Sequence, residues 1–451
     1  MKKKGGSDGC PECHLVDLHR PISLSPGQRT KLPAEFPPRH GYNIWEIIRP
    51  NLGKDFSRFR VPVTFNEPMS MLQRLAESYM SYAELLISAS TKKDPLERFE
   101  LVCAYVLSGM TSNKNRLTKP FNPLLLETFE LEREGVRFVA EQVSHHPPVS
   151  AFHVEGPGFV LSGSVSPKLS FWINRLICAP TSSVQLTFTN LNESYSWDVP
   201  NCAIYNIMFG KLYMNATGTL TIHASSGNYE AKLSFDGGNG WDFKNLDVHV
   251  DGFISRGRER LRAIYGNWSQ FIASCDSNKF KECLPAYQKL FLNNVNEQEK
   301  APLVAGSKIL WVAHRMPERH EMMCNFTYVG LSLNELSPTL APLLPPTDSR
   351  LRQDIVLLEQ GRNEEAEHEK DVLEKAQRQR RADGIAEKPR WFSLDSAGRW
   401  KFGGTYWSRD FAACDRILGD RPRIAKGQEQ GKNSNIDSGC SRSSSSSSHS
   451  S

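Results

Sequence analysis

The most distinctive residues of this chain are two adjacent histidines, His145 and His146, which stand directly before two prolines. A residue before proline is pushed out of helical geometry into an extended conformation, so the pair cannot lie in a helix. We expect it at the end of a strand or in a fixed turn, with both imidazole rings held at defined angles. Three interpretations fit this pattern: a rigid turn with hydrogen-bonded histidines, a metal site, and an anion site in which the imidazoles donate to phosphate oxygens.

The metal site is the weakest of these interpretations. Zinc needs further His, Cys or carboxylate ligands at characteristic spacings. Glu141 lies four residues before His145, but the prolines exclude the helix that an HExxH-type site requires. A separate motif, Cys10-Pro-Glu-Cys-His14, has the spacing of c-type haem attachment, a chemistry that needs an export route. We therefore expect no metal and no other cofactor.

Three charged residues late in the chain could help to bind an anion. Lys370, Glu374 and Arg378 follow one another at intervals of four residues, which places them along one stripe of a helix. Taken alone, such a stripe is a run of surface ion pairs worth a few tenths of a kcal/mol each. If it converges with the histidines, the two cations could hold phosphate, Arg by bidentate contacts and Lys as a point charge.

The elements that must position these residues change character along the chain. Residues 67–112 show the spacing of two amphipathic helices, the second starting at Asp94-Pro95, an N-cap followed by a proline. From about 135 to 270 the apolar period is two, as in Val184, Leu186 and Phe188. Residues 270–300 are typical of a polar helix, 308–311 and 325–333 of strands, and 353–382 of one long charged helix. So many antiparallel strands favour closure into a wide barrel.

Composition and charge limit the classes of function. The chain has 451 residues, with 55 Lys and Arg against 50 Asp and Glu. The first 60 residues hold 11 basic and 6 acidic residues, and the rest hold 44 of each. This neutral body argues against a nucleic-acid-binding protein. We expect a cytoplasmic protein, because there is no apolar run of membrane-spanning length and no secretory signal, and the ten cysteines are irregularly spaced.

The block Glu141-Gln-Val-Ser-His-His-Pro-Pro matches a family fingerprint residue for residue, and the chain resembles the oxysterol-binding protein and its relatives. Lys119-Pro-Phe-Asn-Pro-Leu-Leu-Leu-Glu is similar to the family's Lys-Pro-x-Asn-Pro-x-x-Gly-Glu. Asn66-Glu-Pro-Met-Ser, Asp348-Ser-Arg-Leu-Arg-Gln-Asp and Glu369-Lys-Asp-Val-Leu-Glu resemble further family motifs. The resemblance covers residues 30–409 and is greatest for the subgroup with short or ankyrin-bearing relatives.

This resemblance implies a mainly β (α+β) fold: a large, nearly closed antiparallel β-barrel with a hydrophobic tunnel, an N-terminal lid and helices, and a C-terminal charged helix. The tunnel would take a sterol or oxysterol, or the acyl tail of a phospholipid, and exchange it for a phosphatidylinositol phosphate such as phosphatidylinositol 4-phosphate. Carried over position by position, the site for the phosphoinositide headgroup comprises Lys119, Asn122, His145, His146, Lys370, Glu374 and Arg378.

A lid is also indicated by the residues of segment 42–52. Its apolar side chains, chief among them Ile44, Trp45, Ile48 and Leu52, crowd a segment too short to be a stable helix by itself. The segment must dock over the tunnel mouth, against a bilayer, or on the outer wall of the barrel. We expect a mobile leader at 1–30, a lipid-binding domain at 31–410 and a disordered, Ser-rich tail at 411–451. Within the domain we expect the lid at 31–60, the helices at 67–112, the barrel at 120–335 and a helical part at 336–410.

Some positions depart from the family pattern. The family's glycine after Asn-Pro-x-x is Leu126 in this chain. A bulkier residue at a position of close approach could narrow the tunnel or shift the strand. The family's proline in Arg-Pro-Asp is Gln353, and the segment after Trp407 lacks the family's usual ending.

The patterns favour a non-enzymatic lipid carrier that exchanges sterol and phosphoinositide between membranes and touches anionic membranes only transiently. A scaffold that binds phosphoinositide without transport is the alternative. An ester hydrolase is disfavoured, because no nucleophile elbow, metal-ligand set or triad pattern accompanies Ser144 beside the histidines; we expect no catalytic residues. The expected location is the cytoplasm, with peripheral binding to intracellular membranes.

Overall fold

The computed structural model describes residues 12–37, 45–46, 49, 61–172, 174–235, 248–294, 297–385, 388–412, 414 and 417–418. All of them fall within one compact unit, residues 1–419. In this described part of the chain, no helix is both long enough and apolar enough to cross a membrane.

A sheet of twelve antiparallel strands is the main element of the fold, and most strands lie beside their neighbours along the chain. In spatial order the strands are β20 (Lys308–Val312), β18 (Phe271–Asp276), β17 (Glu259–Asn267), β16 (His249–Arg256), β15 (Tyr229–Ser234), β14 (Thr219–Ala224), β11 (Glu193–Trp197), β10 (Thr181–Phe188), β7 (Phe159–Ser166), β6 (Pro148–Gly156), β5 (Val136–His145) and β4 (Thr128–Arg133). The expected large antiparallel sheet is therefore confirmed.

The period-two pattern has the predicted consequence. On β10, Val184, Leu186 and Phe188 are buried, while the residues between them are more exposed. β5 differs because it is apolar on both faces. Phe138 belongs to the main core, and the adjacent Val139 packs beneath the C-terminal aromatic segment. Because both faces are covered, β5 is a rigid support for the histidines at its end.

Short strands form four smaller sheets. β8 (Leu169–Trp172), β9 (Arg175–Cys178), β12 (Asn201–Tyr205) and β13 (Tyr213–Thr217) form a four-stranded antiparallel sheet. The two-stranded sheets pair β1 (Cys13–Asp17) with β19 (Lys300–Val304), β2 (Asn66–Ser70) with β3 (Lys119–Phe121), and β21 (Phe392–Leu394) with β22 (Trp400–Phe402).

Helices connect the two ends of the large sheet. They are α1 (Met71–Met80), α2 (Glu84–Thr91), α3 (Pro95–Ser108), α4 (Ser277–Asn294), α5 (Tyr328–Ser332), α6 (Gln353–Glu359) and α7 (Asn363–Ala382). α1 packs on β4, β5 and β6 at one end of the sheet, and α3 packs on β18 and β20 at the other. A capping box of Ser70 and Gln73 begins α1, and the Asp94 side chain caps α3 as predicted. The helices thereby cover the core between the edges of the sheet.

Three predicted elements differ from the structure. Residues 271–276 form β18, so the predicted polar helix begins only at Ser277. Residues 325–333 contain helix α5 instead of a strand, because the Thr327 hydroxyl caps Gly330 and also donates to the buried carboxylate of Glu77. The predicted helix 353–382 is two helices, since Gly361 adopts a φ of +76° and ends the first of them.

Some described residues of the predicted leader and of the predicted tail belong to the folded core. In the predicted mobile leader, β1 pairs with β19 and Leu18 is buried in the core beside α4. In the predicted disordered tail, Ile417 and Leu418 are buried. Beyond residue 418 the tail lies outside the described residues.

Candidate functional site

The two histidines lie in the turn between β5 and β6, as the prolines predicted. The Ser144 hydroxyl donates to the Pro147 carbonyl at 2.7 Å, and the peptide bond between His146 and Pro147 is cis. A register shift in the β5–β6 ladder between Gln142 and Ser144 bends the end of β5 and changes the direction of the side chains that follow. The imidazole rings of His145 and His146 lie edge to face with their centroids 4.7 Å apart. The fixed turn is therefore present, with one ring half-buried and the other exposed.

Two further residues of the fingerprint hold this turn in place. The amide of Gln142 accepts from the Ser150 hydroxyl at 2.6 Å and donates to the Ser144 carbonyl at 2.9 Å. The buried Glu141 carboxylate accepts from three consecutive backbone amides, those of Arg390, Trp391 and Phe392, at 2.8, 3.0 and 3.2 Å. Glu141 thus anchors the C-terminal hairpin instead of facing a ligand, and burial raises its pKa to about 7.

His145 is neutral near pH 7. Burial lowers its pKa to about 4, and the neighbouring His146 adds to the effect. A ring nitrogen is hydrogen-bonded to the backbone of Pro123, while Nδ1 is buried without a hydrogen-bond partner. The Pro123 contact links the histidine turn to the segment 119–126.

Helix α7 packs beside that same segment. The Leu125 amide donates to the Gln377 side chain at 2.8 Å, and Leu373 packs against Leu124 and Leu126. These contacts place the middle of α7 against the segment that begins at Lys119. The predicted stripe of charged residues is thereby brought to the segment that also contacts His145.

Two lysines and a glutamate meet there. Burial, and to a smaller extent the nearby ammonium of Lys370, lower the pKa of Lys119 to about 8, and the carboxylate of Glu374 opposes both effects. Lys370 is itself buried; its Nζ donates to the Val61 carbonyl at 2.5 Å. Glu374 lies 3.7 Å from the exposed guanidinium of Arg378. A local excess of positive charge, partly shielded from water, is what an anionic group would stabilise.

Asn122 follows Lys119 in the same segment. Its side chain is exposed, and its carbonyl accepts from the Arg352 guanidinium at 2.9 Å. Arg352 is buried and pairs with Glu127 at 2.9 Å and with Asp354 at 2.6 Å. The motif that begins at Asp348 therefore holds the backbone of the segment 119–126 in place through Arg352. The family resemblance alone assigns this motif no role, although its alternation of Arg and acidic residues indicates buried ion pairs.

The departure at Leu126 has a clear structural outcome. Leu126 has a φ of +68°, the left-handed region that a glycine adopts without strain. Its side chain is only 6% exposed and packs in a cluster with Leu373, Ile417 and Leu418. Its amide donates to the Gln142 carbonyl at 3.0 Å, so the segment stays in register with β5.

The lid residues are described only in part. Trp45 is half-buried, and its ring lies 5.7 Å from that of Phe171 in β8. Ile44, Ile48 and Leu52 lie outside the described residues. Among the residues that the structure describes, no group of three His, Cys, Asp or Glu side chains could hold a metal ion.

Comparison with known proteins agrees with the fold and with the motifs. The family model described as "Oxysterol-binding protein" matches residues 43–411, and the chain belongs to this family. It is 35% identical over 418 residues to the human oxysterol-binding protein-related protein 1, a match covering 85% of this chain and 43% of that protein. It is 36% identical to the human oxysterol-binding protein-related protein 2, covering 86% of this chain and 87% of the other. The chain thus spans less than half of the first relative and most of the second.

Solved structures show the same architecture. The Osh3 ORD from Saccharomyces cerevisiae, in complex with PI(4)P, superposes with a TM-score of 0.72 at 30% identity, covering 86% of this chain and 99% of that one. The Osh1 ORD domain in complex with cholesterol gives a TM-score of 0.72 at 29% identity, covering 87% and 93%.

Proposed function

We propose that this protein binds a sterol or a phosphoinositide in its barrel and exchanges the two between membranes, without catalysing a reaction. The observation that carries the proposal is the partly buried cluster of Lys119 and Lys370 beside Glu374. Two ammonium groups held close together out of water destabilise each other, and an anionic headgroup would relieve that repulsion. The solved relatives, with PI(4)P in one and cholesterol in another, support the choice of ligands.

In this proposal the headgroup site contains all seven residues predicted from the resemblance. Lys119 and Lys370 contact phosphate, and Glu374 orients Arg378 for a further contact. Asn122 donates from its exposed amide, and the histidine turn supplies imidazole N–H groups. His145 is neutral in the free protein, and a bound phosphate would favour protonation of its unpartnered Nδ1, which then donates to the phosphate. The protein acts in the cytoplasm and at the surfaces of intracellular membranes.

Lipid extraction tests the proposal directly. The protein is incubated with liposomes that contain labelled sterol and phosphatidylinositol 4-phosphate, then recovered, and its bound lipid is identified by mass spectrometry. We expect intact lipid of either kind, and transport of each against the other between two liposome populations. Chemically altered lipid would indicate an enzyme, and binding of phosphoinositide without transport would indicate a scaffold.

Variants separate headgroup recognition from sterol binding. His145→Ala combined with His146→Ala should abolish extraction of the phosphoinositide and spare that of sterol, because only the headgroup reaches the turn. Lys119→Ala should have the same effect. His368→Ala on the exposed side of α7 and Lys289→Ala on α4 are matched controls. Equal loss of both lipids in variants that remain folded by circular dichroism would refute this division of roles.

A further inference from the structure

The most exposed large apolar side chain among the described residues belongs to the loop between β12 and β13. Phe209 is 71% exposed, and its neighbour Met208 is 39% exposed. Single exposed apolar residues are common on protein surfaces. Two adjacent exposed apolar side chains at the tip of a hairpin are less common. They indicate a binding surface if the rest of the loop fixes them in the exposed position.

The loop is held by contacts on both of its sides. Ile207 and Leu212 are 3% and 4% exposed and pack in a small core beneath the tip. The amide of Met208 donates to the Asn174 side chain at 2.7 Å, and the amide of Ile207 donates to the Asn174 carbonyl at 3.3 Å. The Asn206 side chain donates to the Lys211 carbonyl at 3.0 Å and closes the loop. The exposed pair is thus presented by a fixed framework.

Aromatic rings and basic residues surround the tip. At the base of the loop, Tyr205 and Tyr213 face each other across the ladder, with parallel rings 4.9 Å apart. Both are half-buried, and Tyr is enriched where proteins meet the membrane–water interface. The sequence contains no Asp or Glu in residues 156–192 or 199–229, the two stretches that supply all four strands of this sheet, whereas Lys168, Arg175 and Lys211 lie within them. The sheet is therefore suited to an anionic surface.

The small core beneath the tip is connected to Trp45 through Phe171. Phe171 packs against this core, and its ring lies 5.7 Å from that of Trp45, the residue that the sequence assigned to the lid. An apolar tip of two side chains is far too small for a stable protein–protein interface, which buries about 800 Å² on each partner. A bilayer needs no such matching surface, because inserted side chains enter a continuous apolar phase.

We propose that the loop 206–212 is a membrane-docking tip: Phe209 and Met208 insert into an anionic bilayer while Lys211 and Arg175 contact its headgroups. The proposal deepens the proposed function by naming the surface that meets the donor or acceptor membrane. Its role in lipid exchange rests on the proposed function, whereas membrane binding by the tip does not. Membrane binding and lipid extraction are separate measurements, so either statement can fail alone.

Flotation with vesicles tests the tip. The full chain is mixed with vesicles of phosphatidylcholine, with or without phosphatidylserine, and the floating fraction is measured. Phe209→Ser combined with Met208→Ser should weaken binding at least about tenfold on both vesicle types. Lys211→Gln should weaken binding about fivefold on anionic vesicles only. The control is Leu292→Ser combined with Leu394→Ser, which removes exposed apolar side chains from α4 and β21 and should leave binding unchanged.

The outcomes are distinct. Equal flotation of the wild type and the tip variant overturns the proposal, and so does a wild type that does not float. Sterol held in solution by the tip variant, measured by mass spectrometry after vesicle removal, should match the wild type. If the wild type floats through the tip but carries no lipid, the docking tip stands and the proposed lipid exchange fails. If the tip variant is misfolded by circular dichroism, Lys211→Gln decides, because its side chain is exposed.

Discussion

Leu126 allows the strain of the site segment to be measured. Its φ of +68° places a residue with a β-carbon in a region that costs about 1 kcal/mol or more for any residue but glycine. Its side chain is buried in the cluster with Leu373. Leu126→Ala removes the packing and keeps the strain, whereas Leu126→Gly removes both. The difference between the two variants therefore isolates the backbone contribution.

The expected magnitudes follow from burial and conformation. Truncating a buried leucine to alanine costs about 3 kcal/mol of unfolding free energy. At an ordinary position glycine is less stable than alanine by about 0.5–1 kcal/mol. At a positive φ the order of stability reverses, because the backbone strain of alanine there exceeds the conformational-entropy cost of glycine. We therefore expect Leu126→Gly to be about 0.5 kcal/mol more stable than Leu126→Ala, although both are less stable than the wild type.

The assay is urea unfolding of four variants, the alanine and glycine substitutions at Leu126 and at the control position Leu124. Leu124 is 2% exposed, packs in the same cluster, and does not have a positive φ. At that control position the glycine variant should be the less stable of the two. The same order of stability at both positions, with equal m-values, would falsify the assignment of strain to Leu126.

Three further predictions concern charge. The pKa of His145 is lowered to about 4 from an unfolded value near 6.5, so its stabilising contribution is complete above pH 6.5 and is lost as the pH falls through 4. His145→Gln should therefore remove up to about 3 kcal/mol of the acid-induced loss in unfolding free energy, and an acid dependence equal to that of the wild type would contradict burial of the neutral ring. Because the pKa of Lys119 is lowered to about 8, phosphoinositide extraction should decline between pH 7 and 9 while sterol extraction stays constant, and an unchanged ratio would count against Lys119 as a phosphate ligand. Arg352→Met should cost about 3–5 kcal/mol in chemical denaturation, because it leaves the buried carboxylates of Glu127 and Asp354 without their cation; a loss below 1 kcal/mol would contradict that role.

The sequence predicted those parts of the fold that depend on local pattern. The alternation on β10 and the Asp94-Pro95 helix start are both present in the structure. The prediction at 325–333 was wrong because the Thr327 cap is completed by Glu77, a residue 250 positions away. The break at Gly361 could have been predicted, since a glycine inside a charged helical pattern indicates a helix end.

For the site, residue spacing alone predicted the histidine turn and the charged stripe on a helix. It did not predict the packing contacts that bring the two together. Period and spacing place Lys370 and Glu374 on one face of a helix, and only tertiary packing places that face beside Lys119. Glu141 illustrates the opposite limit. It belongs to the most recognisable block of the sequence, yet its carboxylate is used to hold backbone amides at 390–392. A fingerprint therefore contains residues that build a site as well as residues that face its ligand.

The departures at Leu126 and at the C-terminus are physically connected. A leucine in place of glycine introduces an apolar side chain at the segment that carries the headgroup residues. Ile417 and Leu418, which follow the end of the family match at residue 411, bury that side chain together with Leu373. Burial of this kind, at about 25 cal/mol per Å² of apolar surface, can offset a backbone cost of about 1 kcal/mol. The divergent end of the chain thus supports the segment 119–126 in addition to the buried ion pair of Arg352 and Glu127.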